Sequence, residues 1–215
     1  MNPVSLPLGA LYVVKAGLVF TAIMLVVGYF LHHQPDHHPF AQLGLANQVT
    51  AVRAALVSLV AALIGEPTVP ALAAGAVAAS LLATILDGVD GWLARRTGMT
   101  SAFGARFDLE IDALLIQVLA ILAWRHGKAG PWVVLAGLLR YLFVASGWLW
   151  RWMQRPLLGT TRGKAICIVQ VGTLVAALVP TVTPPASTAL AAIGLTALAY
   201  SFAVDTWWLW RTRDN

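Results

Sequence analysis

Residues 87–112 read DGVDGWLARRTGMTSAFGARFDLEID, and they place Asp87, Asp90, Asp108, Glu110 and Asp112 in a chain that is 59% hydrophobic and 11% charged. Asp87, Asp90, Gly91 and Ala94 follow an i, i+3, i+4, i+7 spacing, which is one face of a helix. Gly104, Asp108 and Asp112 follow i, i+4, i+8, again one face, whereas Glu110 falls on the other side of that helix. Four aspartates therefore form two stripes on consecutive helices, and the stripes converge if those helices are antiparallel neighbours. Gly91, Ala94 and Gly104 remove side-chain bulk from the same stripes, leaving room for a ligand or for the partner helix.

An ionised side chain at membrane depth costs at least ~2.5–3.5 kcal/mol, and clustered carboxylates also repel one another. Divalent cations reverse both effects. Two Mg²⁺ would cancel four negative charges, and aspartate oxygens suit Mg²⁺, which keeps coordination positions open for substrate phosphates. A metal pair bridging a pyrophosphate is an established device for phosphoryl chemistry. Two other uses compete: an interfacial salt-bridge network with Arg95, Arg96 and Arg106, and cation or proton transport through intramembrane acids. Transport acids are usually spread through the bilayer depth; these are bunched at one end.

The elements that position these stripes must be membrane helices. A soluble domain carries about 25% charged residues; this chain has too few to cover a water-facing surface, and its mean hydropathy is +0.77. Apolar runs long enough to span a bilayer are expected at about 8–31, 47–64, 70–96, 104–125, 131–152, 164–180 and 186–210, punctuated by Pro70, Pro131, Pro180, Pro184 and Pro185. The net charge is +5, but the basic residues sit in short clusters between apolar runs, so no nucleic-acid partner is expected. Their distribution puts the Asp-rich connection and the C-terminus in the cytoplasm and Met1 outside. The first run, with Lys15 in it, either spans or lies on the surface; it is too long for a cleaved signal peptide and lacks a basic leader. Cys167, in AICIVQV, is expected to be a buried small hydrophobe. Trp124, Trp132, Trp150, Trp152 and Trp210 read as headgroup-level anchors. HHQPDHHPF, with His32, His33, His37 and His38, suits an interfacial loop better than a metal site.

The sequence Asp87-x-x-Asp90-Gly91-x-x-Ala94-Arg95, eight residues, then Gly104-x-x-x-Asp108-x-x-x-Asp112, resembles the signature of the CDP-alcohol phosphotransferase family at every fixed position. LANQVTAVR, with Asn47, Thr50 and Arg53, is similar to the stretch that opens that family's first core helix. The resemblance implies an all-α fold with a core of six transmembrane helices and one extra N-terminal helix. Residues 1–46 would be that helix with its His-rich connection, and 47–215 the catalytic domain. It implies that Asp87, Asp90 and Asp108 bind two Mg²⁺ or Mn²⁺ per active site, with Asp112 as both ligand and general base. Asn47, Thr50, Gly91, Arg95, Ser101 and Gly104 would surround the CDP moiety. The implied reaction moves a phosphatidyl group from CDP-diacylglycerol to a small polar alcohol, releasing CMP. A homodimer in a bacterial inner membrane, with its site facing the cytoplasm, is the implied setting.

The acceptor is less legible. Arg151, Arg155, Arg162 and Lys164 form a second basic group that serves topology, binds an acceptor phosphate, or does both. GKAICIVQ partly resembles the Lys-x-Lys-Thr-x-x-Gln segment of phosphatidylglycerophosphate synthases: Lys164 and Gln170 fit, whereas Ile166 and Cys167 replace the second Lys and the Thr. Glycerol 3-phosphate is the first expectation, with inositol phosphate or serine as alternatives.

Overall fold

The computed structural model describes residues 8–33, 35–37, 39–40, 42–154 and 161–213. Among them there are seven α-helices and no strand: α1 Ala10–His33, α2 Gly44–Ala62, α3 Pro70–Thr97, α4 Ala102–Arg125, α5 Leu135–Leu149, α6 Thr161–Leu178 and α7 Ala186–Arg211. Their ends fall within about three residues of the expected boundaries. The fifth differs: residues 131–134 form a 3₁₀ turn ahead of α5, and the helix stops at Leu149, where Trp150 becomes extended (φ −122°, ψ 106°). The tryptophan-rich stretch WLWRWM then continues as a second 3₁₀ turn, Arg151–Gln154.

Five stretches are long and apolar enough to cross a membrane: α1, α2, α3, residues 131–149 and α7. The other two, α4 and α6, carry charged residues in their first turns. The protein is an all-α integral membrane protein.

Local chemistry explains the boundaries. Pro70 occupies the first turn of α3 behind an extended Val69, where its missing N–H costs nothing. Gly98 ends the same helix in the left-handed region (φ 66°), a conformation that favours glycine at a helix C-terminus. Ser101 opens α4: its hydroxyl accepts a hydrogen bond from the Gly104 N–H at 3.0 Å, satisfying one of the donors a helix start leaves unpaired.

The chain divides into two compact units, Met1–Val118 and Leu119–Asn215, the division falling inside α4. In the first, α2 packs on α1 and α3. The α1 helix runs antiparallel to α2. Near its start the Tyr12 hydroxyl donates to the Leu59 carbonyl at 3.1 Å, and Lys15 donates to the Ile64 carbonyl and pairs with Glu66. Near its end, Phe30 lies under the Arg106 guanidinium, 5.3 Å from the ring centroid. The first segment therefore runs the length of the α2 helix, and its outward residues, Leu11, Val13, Leu18, Leu25 and Val26, are exposed apolar side chains suited to lipid.

In the second unit α7 packs on α6 and α5. A Cβ on Gly194 would stand 2.2 Å from Thr173 Oγ1 and 2.7 Å from Gln170 Oε1; only glycine lets α6 and α7 approach this closely. Lys128 is buried beyond the end of α4. Its ammonium donates to the carbonyls of Val179, Pro180 and Val182 at 3.1, 3.3 and 2.5 Å. Its own carbonyl accepts from Ser187 and Thr188. Arg162 pairs with Asp205 across α6 and α7. Cys167 is half-buried rather than buried; it shares a face with Val171 and Leu174 but lies a turn closer to the helix start, where cover is thinner.

Candidate functional site

The α2 helix carries Asn47, Thr50 and Arg53 at i, i+3, i+6, and all three are buried. The next helix, α3, brings Asp87 and Asp90, and the first turns of α4 bring Asp108 and Asp112. These seven residues meet at one place, because Arg53 reaches all four aspartates. Its Nη1 donates to Asp90 Oδ2 at 2.8 Å and to Asp108 Oδ1. Its Nη2 lies 2.8 Å from Asp87 Oδ1 and donates to Asp112 Oδ1. Its Nε donates to the Ala83 carbonyl at 3.1 Å. A guanidinium has five N–H donors in a rigid fork; here Nη1 and Nη2 face carboxylates of α3 and α4 while Nε holds the α3 backbone.

Polar contacts extend outward from this centre. The Thr50 hydroxyl lies 3.1 Å from Asp90 Oδ2 and 3.2 Å from the Ala46 carbonyl, so its single proton is shared between them. Asn47 donates through Nδ2 to the Leu43 carbonyl at 2.6 Å, which turns its Oδ1 toward α4. A Cβ on Gly104 would stand only 2.7 Å from that oxygen. The glycine is thus required for α4 to approach α2, and that approach brings Asp108 and Asp112 to Arg53.

Burial is graded across the cluster. Arg53 and Asp90 are sealed, at 1% and 5% side-chain exposure, whereas Asp87 and Asp108 are 32% and 36% exposed. A ligand can reach the cluster from the side of Asp87 and Asp108. One carboxylate oxygen from each of Asp87, Asp90 and Asp108 lies within 4.8 Å of the others, close enough to share a metal ion. Hard carboxylate oxygens are the donor set that Mg²⁺ and Mn²⁺ favour. The charges point the same way: four carboxylates converge on one guanidinium, and a divalent ion would ease their mutual repulsion.

The expected residues are distributed unevenly around this centre. Asp87, Asp90, Asp108, Asp112, Asn47, Thr50 and Gly104 come together. Ser101 stands at the α4 start as its cap. Gly91 lies a helical turn beyond Asp87, and a Cβ there would meet the Arg95 guanidinium at 3.4 Å; Arg95 itself is exposed. In the second unit Arg151 and Lys164 are exposed and Arg162 is paired with Asp205. Arg155 lies outside the described residues, as does His38 of the His-rich connection.

The residue that the sequence reading left without a role is Arg53. Its spacing from Asn47 and Thr50 put it on their face, and that was the available signal. The arginines closer to the aspartates in sequence point elsewhere: Arg96 stacks over Trp92 at 4.8 Å and Arg106 over Phe30.

No solved structure matches the chain. A family model does, over residues 43–208, which takes in α2 to most of α7 and leaves α1 outside. That span covers well over half of the sequence and contains every residue of the aspartate cluster. The chain therefore belongs to the CDP-alcohol phosphatidyltransferase family, membrane-bound transferases of phospholipid biosynthesis.

Proposed function

We propose that this enzyme moves a phosphatidyl group from CDP-diacylglycerol to glycerol 3-phosphate, releasing CMP, with the α3–α4 aspartate cluster as its active centre. The observation that carries this reading is the convergence of four aspartates from α3 and α4, two of them partly exposed. The family generally uses divalent metals, and the donor set fits them. Asp87, Asp90, Asp108 and Asp112 would hold two Mg²⁺ or Mn²⁺, which when bound neutralise the pyrophosphate and the departing CMP.

The protein's own residues supply the remaining functions. Asp112 takes the proton from the acceptor hydroxyl as that oxygen attacks the phosphorus carrying the lipid. Asn47, Thr50, Gly91, Arg95, Ser101 and Gly104 border the CDP moiety, Gly91 giving the nucleotide access to backbone. In-line attack needs both substrates held in register, and Arg162, Lys164, Arg151 and Arg155 are assigned to the acceptor phosphate. Residues 47–215 form the catalytic domain and residues 1–46 the added helix and its connection. The active centre faces the cytoplasm of a bacterial inner membrane, where soluble acceptors arrive, and the enzyme works as a homodimer.

The test is an acceptor panel. Purified protein with CDP-diacylglycerol and Mg²⁺ is offered glycerol 3-phosphate, inositol phosphate and serine, and CMP is measured. Glycerol 3-phosphate should give the fastest release, and Arg162→Gln should raise its KM about tenfold, the loss of one charge-assisted contact. Preference for serine would refute the phosphate-binding role of the basic group while leaving the donor chemistry intact. No CMP with any acceptor would refute the donor chemistry.

A further inference from the structure

We infer that Arg53 is a positioning residue that acts as a resident counter-cation: it holds the four aspartates together when divalent ions leave, and the metals bind in competition with it. The inference rests on the metal reading of the cluster given above.

The geometry singles Arg53 out. It is 1% exposed, its two terminal nitrogens contact four carboxylates from two other helices, and its Nε donates to a backbone carbonyl. Four carboxylates brought together without a cation would repel one another and drive α3 and α4 apart. One guanidinium reduces that repulsion and fixes the positions of the oxygens through its planar fork. Lysine could not do the same, because an ammonium has three donors and no plane. The Nε bond to the Ala83 carbonyl anchors the fork to the α3 backbone, so the cation does not depend on the aspartates alone for its position.

The same contacts set up competition. The oxygens of Asp87, Asp90 and Asp108 that are near enough to share a metal belong to carboxylates already bonded to Arg53. A divalent ion entering from the open side near Asp87 and Asp108 must take oxygens from the guanidinium or share them with it. The arginine therefore lowers metal affinity while keeping the metal-free site assembled. Without Arg53 the stripes would lose the cation that all four carboxylates share, and stability would depend on metal far more steeply.

The experiment is thermal unfolding of the full chain in detergent, in EDTA and in saturating Mg²⁺, for wild type, Arg53→Gln and Arg53→Lys. Wild type should show a modest Mg²⁺-dependent rise in Tm. In EDTA Arg53→Gln should melt on the order of 10 °C lower than wild type, the scale expected for buried charges stripped of their partner, and Mg²⁺ should restore most of that loss. Arg53→Lys should fall between the two. A Mg²⁺-dependent rise that is the same in the variants as in wild type overturns the inference, since a purely structural arginine would lower both conditions alike. Should Arg53→Gln not be recoverable in either condition, the same comparison with Arg53→Lys decides. Mn²⁺ titration followed by electron paramagnetic resonance gives a second readout: the competition requires tighter Mn²⁺ binding in Arg53→Lys, and weaker binding contradicts it. If wild type itself shows no Mg²⁺-dependent rise and binds no Mn²⁺, the metal reading fails, and the competition inferred from it falls as well.

Discussion

Two buried cations in this protein, Arg53 and Lys128, sit in opposite electrostatic settings. Arg53 is surrounded by four carboxylates. Lys128 is surrounded by the neutral carbonyls of Val179, Pro180 and Val182, just beyond the C-terminus of α6. Those carbonyls lie just past the last helical residue, Leu178, where a cation complements the helix dipole. The Lys128 site is locally complete: its ammonium has three acceptors, and its carbonyl is capped by two hydroxyls at the start of α7. The Arg53 site instead gathers four carboxylates that repel one another around one cation. Hydrogen bonding alone therefore does not separate a structural centre from the proposed active one; the gathered acidic groups do, together with the partial exposure of Asp87 and Asp108.

This contrast can be broken by mutation, and the largest effect belongs to the aspartates. Asp112→Asn keeps shape and burial but removes the proposed base, and CMP release should fall by about 10²–10⁴-fold, with a thermal melt near that of wild type. Retained turnover would move the base elsewhere. Next comes Lys128→Met, which takes the ammonium from three carbonyls, of which Val179 keeps the Val182 N–H. Stability should drop by roughly 3 kcal/mol in chemical unfolding. Turnover per folded molecule should stay near wild type, and the Mg²⁺-dependent Tm rise should be unchanged. A Lys128 variant that lost metal response would erase the distinction between the two centres. The smallest effect is at the α1 staple: Lys15→Met with Glu66→Gln should cost about 1 kcal/mol, read as a drop in Tm, without altering CMP release.

Most of the helical layout was legible in the sequence, because apolar runs and prolines mark membrane segments directly. Pro70 and Gly98 stand at the ends of α3, and Pro131 begins the segment that contains α5. The two aspartate stripes were legible for the same reason, since i, i+4 spacing is a property of one helix. Partnerships between helices were not. Arg53 lies more than thirty residues from Asp87, the nearest aspartate of the cluster, and only its spacing from Asn47 and Thr50 distinguishes it from Arg95, Arg96 or Arg106. Lys128, in RHGKAG, carries no local mark of its role, which comes from the α6–α7 connection and the start of α7. Asn47 and Gly104 could be assigned to one site by resemblance, but the reason for the glycine is steric: Asn47 Oδ1 occupies the space a side chain would need.

The most direct measurement of the central claim is Mn²⁺ binding to the purified full chain, counted by electron paramagnetic resonance in wild type and in Asp108→Asn. Asp108 is the most exposed member of the cluster and shares both Arg53 and the candidate metal position with Asp87 and Asp90. The expected result is two Mn²⁺ per chain in wild type and loss of at least one in Asp108→Asn, with the thermal melt in EDTA little changed. Unaltered Mn²⁺ binding accompanied by a lower melt would contradict it, and would make the aspartates and Arg53 a salt-bridge network with no metal function.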